Sequence, residues 1–587
     1  MKNLFLFLFP FIMLSSSGAA QTNLLLTNPE ALDALKGLHA PEDYLPEIVI
    51  SQPADIFERI VAEVSPDSLK AYLEALRAFE NRNTGADTLS ETFGMGAARR
   101  WAHGKMASFS ERQAGRLLTG YFQFDQDICG MGRHRNVVGV LPGAGPHRSE
   151  VVLVEAHMDS RCEEACDTDC LAEGMEDNGS GTALVLELAR VMSSFTFDRT
   201  LVFMITTGEE QGLFGANAFA EFAEQEGIDL YGVYNNDIVG GIICGQTASP
   251  PGCPGLNEID SINVRIYSAG GGVFGASSSR LLARFTRLQY EENIAPIVPV
   301  VSQINIISRE DRAGRGGDHI PFRQRGYAAL RFTSANEHGN GNPSTDDYHD
   351  RQHTMEDILG VDTDGDNVLD SFFVDFNYLA RNTVINGTTM AASAMGPPTV
   401  DDFELEPTTA GLRYRISAPD GAGPFRLGIR AFDSETTYFD TLLTVTEAED
   451  TLSWLEDGTV YLAAAATIDS NGIESHFSDE GFANLTTTAQ EIKTYPGLTL
   501  LQNRPNPFDE ATTIGVHVGQ PVSYKSAQLR VTDVQGRPLK QFDIELKPGL
   551  VQVLYGYEHH QYARGTYYYS LIVDGQVIDT KAMIYAY

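Results

Sequence analysis

The chain has 587 residues, 42% of them hydrophobic, and a formal net charge of -37. A chain of this length and apolar content can bury a large core, and it predicts about three or four domains of ~150 residues each. The acidic balance leaves no basic field that would hold phosphates, so it excludes nucleic acid and anionic membrane surfaces as favoured partners.

Residues 1–20 have the layout of a secretory signal peptide. Lys2 is followed by an apolar run from Leu4 to Leu14, and the segment ends in small residues, as cleaved signals do. The run is too short to span a bilayer and no later segment is long enough, so the sequence predicts no transmembrane helix. We expect a protein that is secreted or held at the outer cell surface.

The six cysteines are an even number in a chain predicted to be exported, which favours disulfide bonds. Cys244 and Cys253 bracket a short loop and form the predicted local pair. The other four, which leave three connectivities open, are Cys129, Cys162, Cys166 and Cys170. The CxxxCxxxC spacing of Cys162, Cys166 and Cys170 also suits a metal, but cysteines in an oxidising compartment favour disulfide bonds.

Residues 21–55 read as a polar leader, and residues 56–80 carry apolar side chains at helical spacing. From about residue 136, apolar runs alternate with helical patterns. The predicted strands are NVVGVLP, VVLVEAH, LVFMITT, GVYNND and AALRFT, and GTALVLELARVMSS is a predicted helix. This alternation predicts an α/β domain over residues 56–395 with a doubly wound, mixed sheet, in which ligands gather beyond the carboxyl ends of the strands.

Two segments of a different texture follow. Residues 398–490 carry short alternating runs such as LRYRISAP and TVYLAAAATI, which are typical of a small β-sandwich, and residues 497–587 are a second all-β segment. The predicted fold class is therefore α/β, with two small all-β sandwich domains after the α/β domain.

Polar side chains follow the predicted strands of the α/β domain where each strand ends. One such group alone is weak evidence, because an aspartate before a helix is more often a cap. Together they suit two divalent zinc ions with one bridging carboxylate. The adjacent Glu209 and Glu210 would then have different roles, one as a metal ligand and the other as the group that accepts a proton from the metal-bound water. The cations offset the repulsion between the two carboxylates.

A resemblance makes this specific. In this order, HMD, EDNGSG, GEEQGLFGA, NND, GDHIPFRQRGYAALRF and QHTMED resemble the dinuclear zinc aminopeptidases of metallopeptidase family 28, over roughly residues 60–390. That family also holds glutamate carboxypeptidases, glutaminyl cyclases and the non-catalytic transferrin receptor. The resemblance implies a zinc exopeptidase domain that binds two Zn²⁺ ions and acts on peptide substrates.

The resemblance also implies roles for single residues. Asp177 would bridge the two metals, His157 and Asp237 would complete one of them, and Glu210 with a distal histidine would complete the other. Glu209 would be the general base.

Asp159 would orient His157 without binding a metal ion itself. The distal histidine is either His349 or His353, and the family spacing His-Thr-x-x-Asp favours His353. Asp318 and His319 match a supporting Asp-His pair, although Gly317 stands where a serine is usual.

Two further stretches carry resemblances. DTDGDNVLD is similar to the acidic calcium loops of thrombospondin-type repeats, and its alternate carboxylates Asp362, Asp364, Asp366 and Asp370 suit Ca²⁺, although a solvated acidic turn is an open alternative. LLQNRPNPF, VTDVQGRPL and ARGTYYYSLIVDG resemble the C-terminal sorting domain of the type IX secretion system, which implies that secretion machinery as a partner. The preceding sandwich is similar to fibronectin type III domains, which implies a spacer or binding module.

These observations predict a secreted zinc aminopeptidase in which a water bridging two zinc ions, deprotonated by Glu209, attacks the scissile carbonyl. A carboxypeptidase or a glutaminyl cyclase on the same scaffold is the nearest alternative. A non-catalytic surface binding or adhesion protein is the alternative from another class, and the presence of every ligand type disfavours it.

Overall fold

The computed structural model describes residues 21–245, 251–270, 276–312, 316–336, 351–419, 421–432, 437–485, 495, 497–506, 508, 511–534, 536–556 and 565–585. Among these residues, none of the helices combines the length and the apolar character that crossing a lipid bilayer requires.

The α/β domain contains nine α-helices and eleven strands within the described residues. The helices are α1 (Pro29–Leu35), α2 (Pro53–Glu63), α3 (Pro66–Arg77), α4 (Gly94–Arg112), α5 (Gly181–Met192), α6 (Phe214–Glu226), α7 (Ser278–Gln289), α8 (His319–Gln324) and α9 (Phe376–Met395). The strands are β1 (Thr22–Leu26), β2 (Leu118–Ile128), β3 (Met131–Leu141), β4 (Glu150–His157), β5 (Thr200–Thr206), β6 (Asp229–Asn236), β7 (Asn263–Tyr267), β8 (Gln303–Ile307), β9 (Ala329–Ser334), β10 (Gly360–Val361) and β11 (Ser371–Phe372).

Nine of these strands form one mixed sheet in the order β1-β2-β3-β5-β4-β6-β9-β7-β8. The four central strands β5, β4, β6 and β9 are parallel, and antiparallel pairs flank them on both sides. The predicted strands are all present at their expected places. Because parallel strands end at the same edge, the residues that follow β4, β5 and β6 meet there.

Helices cover both faces of the sheet, as predicted. Along β4, Val152 and Val154 belong to the core under α5 and α9, whereas Val151 and Leu153 belong to the core under α6 and α8. This alternation follows from the period of two along a strand. The central strands are apolar on both sides because they are buried on both faces.

The predicted leader is not separate from the α/β domain. Strand β1 pairs with β2 at the edge of the large sheet, and Leu26, Ala31 and Leu35 are buried in the core that α6 also enters. The predicted helical stretch after it is two helices, because Ser65 caps α3 by accepting from the amide of Ser68 at 3.2 Å and proline follows the cap.

The first all-β region is a sandwich of seven described strands. One sheet has the order β12-β13-β16 and the other β15-β14-β17-β18. The strands are β12 (Asp402–Thr408), β13 (Gly411–Ser417), β14 (Phe425–Ala431), β15 (Thr441–Val445), β16 (Glu449–Leu452), β17 (Val460–Thr467) and β18 (Gly481–Asn484).

This sandwich, whose resemblance implied a spacer or binding module, packs directly on the α/β domain. Phe439 and Phe477 lie in the same apolar core as α7 and α9. The rings of Tyr231 and His476 stack at 3.9 Å, and the buried Arg284 and Glu480 pair at 2.5 Å. An ion pair and apolar surface buried together indicate that the two domains form one unit.

The C-terminal region is a second small sandwich with a core of its own. Its sheets have the orders β19-β20-β23 and β22-β21-β24-β25. The strands are β19 (Leu498–Leu500), β20 (Ala511–Val518), β21 (Ala527–Thr532), β22 (Pro538–Asp543), β23 (Gly549–Gly556), β24 (Gly565–Val573) and β25 (Gln576–Tyr585). The predicted α/β domain followed by two all-β sandwiches is thus the observed architecture.

Candidate functional site

The carboxyl end of the central sheet gathers the predicted ligands. His157 is the last residue of β4, Glu209 and Glu210 follow β5, and Asp237 follows β6. Asp177 lies in the segment Met175–Ser180 that precedes α5, at a kink where its own backbone is not helical. Three parallel strands and one helix start therefore deliver side chains from distant parts of the sequence to one place.

His157 is held so that one ring nitrogen faces the centre. Its Nδ1 donates to the backbone carbonyl of Asp159 at 3.1 Å, which fixes the tautomer and leaves the lone pair of Nε2 available. The carboxylate of Asp159 is farther from Nδ1, at 3.7 Å. Asp159 thus contacts His157 mainly through its main chain.

The carboxylate of Asp159 holds the paired glutamates instead. Its oxygens accept from the amide of Glu209 at 3.4 Å and from that of Glu210 at 3.1 Å. Gly208 has a positive φ of 79° in this turn, which glycine adopts without strain. A Cβ at Gly215 would lie 2.4 Å from the carbonyl oxygen of Thr207, so the turn closes tightly only with glycine there.

Asp177 is positioned by a residue that lies 180 positions later in the sequence. Asp357 accepts from the amides of Glu176 and Asp177, each at 2.9 Å. The buried Arg82 donates to the carbonyls of Met158 and Gly174, which begin and end the loop between His157 and Asp177, at 2.8 and 2.9 Å. Neither Asp357 nor Arg82 was assigned this role from the sequence. Asp357 is the aspartate of the His-Thr-x-x-Asp spacing, which was the one sequence signal for either of them.

The same loop carries two of the three disulfides. They join Cys129 to Cys166 and Cys162 to Cys170, and the third joins the predicted pair Cys244 and Cys253. The CxxxCxxxC cysteines are therefore bridged and do not form a thiolate metal site. The loop between two proposed ligands is anchored by covalent bonds as well as by Arg82.

The ligand atoms converge in two sets that share Asp177. In the first set, Nε2 of His157 lies 3.2 Å from Oδ1 of Asp177 and 3.5 Å from Oδ1 of Asp237. In the second, Nε2 of His353 lies 3.0 Å from Oδ2 of Asp177 and 3.1 Å from Oε2 of Glu210. Each carboxylate oxygen of Asp177 faces one histidine, as a bridging ligand would require.

Hydrogen bonding tests whether a cation fits. Nε2 of His157, Oδ1 of Asp177 and Oδ1 of Asp237 are buried and make no hydrogen bond. Buried polar atoms without partners are costly, and an imidazole nitrogen with carboxylate oxygens is the donor set that zinc prefers. These residues therefore fit a zinc ion.

The charges of the cluster lead to the same conclusion. Although burial opposes charge on both histidines, Glu209 raises the pKa of His157 and Glu210 raises that of His353. Burial also opposes ionisation of Asp177, but the two histidines beside it hold its pKa well below the usual range. The carboxylates thus draw protons onto both histidines, and a divalent cation would replace those protons.

Glu209 differs from its neighbour. Burial raises the pKa of Glu209 well above its usual value, and one of its oxygens lies within 4.8 Å of ligand atoms of His157 and Asp237. Glu210 instead points its carboxylate at His353. A carboxylate with a raised pKa beside the centre is suited to accept a proton.

The remaining predicted residues have separate places. His349 lies outside the described residues, whereas His353 is in the cluster. Asp318 accepts from Thr206 at 2.5 Å, burial raises its pKa to about 7, and Nε2 of His319 contacts the carbonyl of Glu310 at 2.8 Å. The two residues border the site without joining either set.

The centre lies at the floor of a cleft of about 370 Å³. Besides the ligands and Glu209, its described walls include Arg161, Gln211, Leu213, Arg312 and Gln352. The cleft is therefore polar and open to a small substrate, with two guanidinium groups near the proposed metal ligands.

The predicted calcium loop is exposed and folded upon itself. Carboxylate oxygens of Asp362, Asp364 and Asp370 lie within 4.8 Å of one another, and Asp366 is outside this group. The carboxylate of Asp362 accepts from the amides of Asp364, Gly365 and Asn367. The hydrogen bonds account for the loop conformation, and calcium stays a prediction.

The chain is similar to known proteins in sequence and in fold. Residues 136–242 match the model of "Peptidase family M28". A probable zinc metalloprotease of Pyricularia oryzae is 31% identical over 407 residues, which cover 65% of this chain and 76% of that protein. One of Leptosphaeria maculans is 30% identical over 387 residues, covering 63% and 84%. The structure of the LapA aminopeptidase of Legionella pneumophila aligns with a TM-score of 0.42 at 16% identity, covering 60% of this chain and 78% of that one.

Proposed function

The chain is a zinc metallopeptidase that belongs to peptidase family M28, and from this premise we propose that it is an exported aminopeptidase with two zinc ions per chain. The observation that carries the proposal is the pair of ligand sets that share Asp177. His157 and Asp237 would hold one ion, and His353 and Glu210 the other. When bound, zinc supplies a Lewis acid for the scissile carbonyl and lowers the pKa of water to give a nucleophile at neutral pH.

The chain's own residues perform the proton transfers. Glu209 accepts the proton of the attacking water, which its raised pKa favours, and returns it to the leaving amine. The Asp159 carboxylate fixes the turn that carries Glu209. The amides of Glu176 and Asp177, held by Asp357, keep the bridging carboxylate in register with the two histidines.

A carboxypeptidase is the second candidate, and the arginines of the cleft favour it. Arg161 and Arg312 line the cleft with the proposed ligands, and guanidinium groups bind carboxylates well. A substrate that is held through its terminal carboxylate would lose residues from its C-terminus.

Three versions of one peptide separate these candidates: the free peptide, its N-acetylated twin and its C-amidated twin. With the zinc-loaded enzyme, an aminopeptidase releases N-terminal residues from the free and the amidated peptides and leaves the acetylated peptide intact. A carboxypeptidase cuts the free and the acetylated peptides and spares the amidated one. A glutaminyl cyclase cuts none of them but converts a peptide with N-terminal glutamine, with loss of ammonia.

Two parts of the chain extend the proposal. Export through residues 1–20 and the C-terminal sandwich would place the enzyme outside the cell, and this is supported by the sorting-domain resemblance of residues 497–587. A Ca²⁺ ion at the Asp362–Asp370 loop is supported by the three clustered carboxylates.

A further inference from the structure

The buried Arg331 of β9 lies between two carboxylates at the edge of the zinc site. Its side chain is fully buried; Nη2 lies 2.9 Å from Oδ2 of Asp237, and Nη1 lies 2.6 Å from Oδ1 of Asp311. The rigid fork of a guanidinium suits two acceptors at once. Arg331 is therefore fixed by one carboxylate while it binds the other.

This contact makes the two oxygens of Asp237 different. Oδ2 is engaged by Arg331, whereas Oδ1 faces Nε2 of His157 at 3.5 Å and makes no hydrogen bond. Only Oδ1 is directed at the metal position.

Gly317 leaves room for this arrangement. A Cβ at that residue would lie 3.1 Å from Cδ of Arg331 and 3.2 Å from Oδ2 of Asp311, so a larger residue would press on the pair. The pair of Arg331 and Asp311 is therefore packed closely against Gly317.

The two zinc positions consequently differ in the arginine contact of their carboxylate ligand. The guanidinium of Arg331 lies 2.9 Å from Oδ2 of Asp237, and this cation draws electron density away from that carboxylate. At the other position, Arg161 lies 3.9 Å from Oε2 of Glu210 and is partly exposed. That distance is beyond a hydrogen bond, and solvent weakens the interaction further.

We infer that Arg331 is a positioning residue that restricts Asp237 to one oxygen and makes the His157–Asp237 position the weaker of the two zinc positions. The inference rests on the proposed two-zinc centre. It means that one ion is exchangeable while the other stays bound.

The test compares zinc affinities of the full chain by competition with a chelating indicator. Wild type should show two separated dissociation constants. Arg331→Met should tighten the weaker one by about tenfold or more, because it removes a buried positive charge that repels the metal ion, and should change the tighter one much less. Arg331→Lys keeps the charge and should retain most of the separation. In the Co²⁺-loaded protein, Arg331→Met should also change the visible spectrum, because Asp237 can then bind through both oxygens.

Arg284→Met is the matched control, since it removes another buried arginine with a carboxylate partner, Glu480, away from the centre. It should lower stability and leave both zinc constants unchanged. If Arg331→Met does not fold, Arg331→Met with Asp311→Asn removes both members of the pair and should show the same tightening.

A weaker constant that stays the same or becomes larger in Arg331→Met would overturn the inference. So would equal changes in both constants. A wild-type protein that binds a single zinc ion would overturn the two-zinc proposal itself, so the two failures are distinct.

Discussion

Glu209→Gln and Glu210→Gln separate proton transfer from metal binding. Glutamine is close to glutamate in volume, and Glu209 is tied to Asp159 through its backbone amide, so its substitution leaves the turn and all five proposed ligands in place. Because burial raises the pKa of Glu209, its charged form is unfavourable in the fold. A neutral amide removes that cost, and the melting temperature should not fall.

Turnover should collapse in Glu209→Gln. General-base catalysis contributes on the order of 10² to 10⁴ in rate, which corresponds to about 2.7 to 5.4 kcal/mol of transition-state stabilisation. The loss should appear in kcat more than in KM if substrate still binds. Zinc content, measured by mass spectrometry of the metal, should equal that of wild type.

Glu210→Gln should behave differently. Its carboxylate lies 3.1 Å from Nε2 of His353 and is nearly fully buried, so a neutral amide weakens one metal position, and added zinc should restore part of the activity. Glu224→Gln, on the exposed face of α6, is the control and should match wild type in both assays. If Glu209→Gln loses zinc while Glu210→Gln keeps both ions and is inactive, the two roles are exchanged and the reasoning is refuted.

Three other predictions concern the rest of the chain. His353→Ala should lose one zinc ion and most activity, whereas His349→Ala should keep both; reversed results in a zinc assay would move the ligand upstream. Removing residues 497–587 should block export and preserve peptidase activity, because that sandwich has its own core; removing 398–587 should also unfold the α/β domain, because the first sandwich shares its core. Calorimetry should show one Ca²⁺ bound by wild type and none by Asp362→Asn, and equal heats would exclude the site.

The central strands were predictable because their signal is local. Strands buried on both faces are continuous runs of valine, isoleucine and leucine, and β4, β5, β6 and β9 match the predicted runs closely. Strand β2 was not predicted, because it mixes polar and apolar residues and is only partly buried. The packing of residues 21–55 was not predicted for a similar reason: their few apolar residues become part of a core only when β2 and α6 are beside them.

The convergence of the proposed ligands was predictable, and the contacts that support them were not. His157, Glu210 and Asp237 each end or follow a strand that the sequence predicts. Because parallel strands end at the same edge of a sheet, the sequence alone predicts that these side chains lie close together. The bond from the Asp177 amide to Asp357 spans 180 residues of sequence, and the fork of Arg331 depends on a glycine and two carboxylates from other segments. Such contacts depend on tertiary packing, which local periodicity does not encode.

The most direct test of the two-zinc centre is a crystal structure of the zinc-loaded protein with anomalous data collected at the zinc absorption edge. Two strong peaks should lie at the carboxyl end of the central sheet, one beside His157 and Asp237 and one beside His353 and Glu210, with Asp177 between them. A single peak, or two peaks that do not share Asp177, would contradict the account.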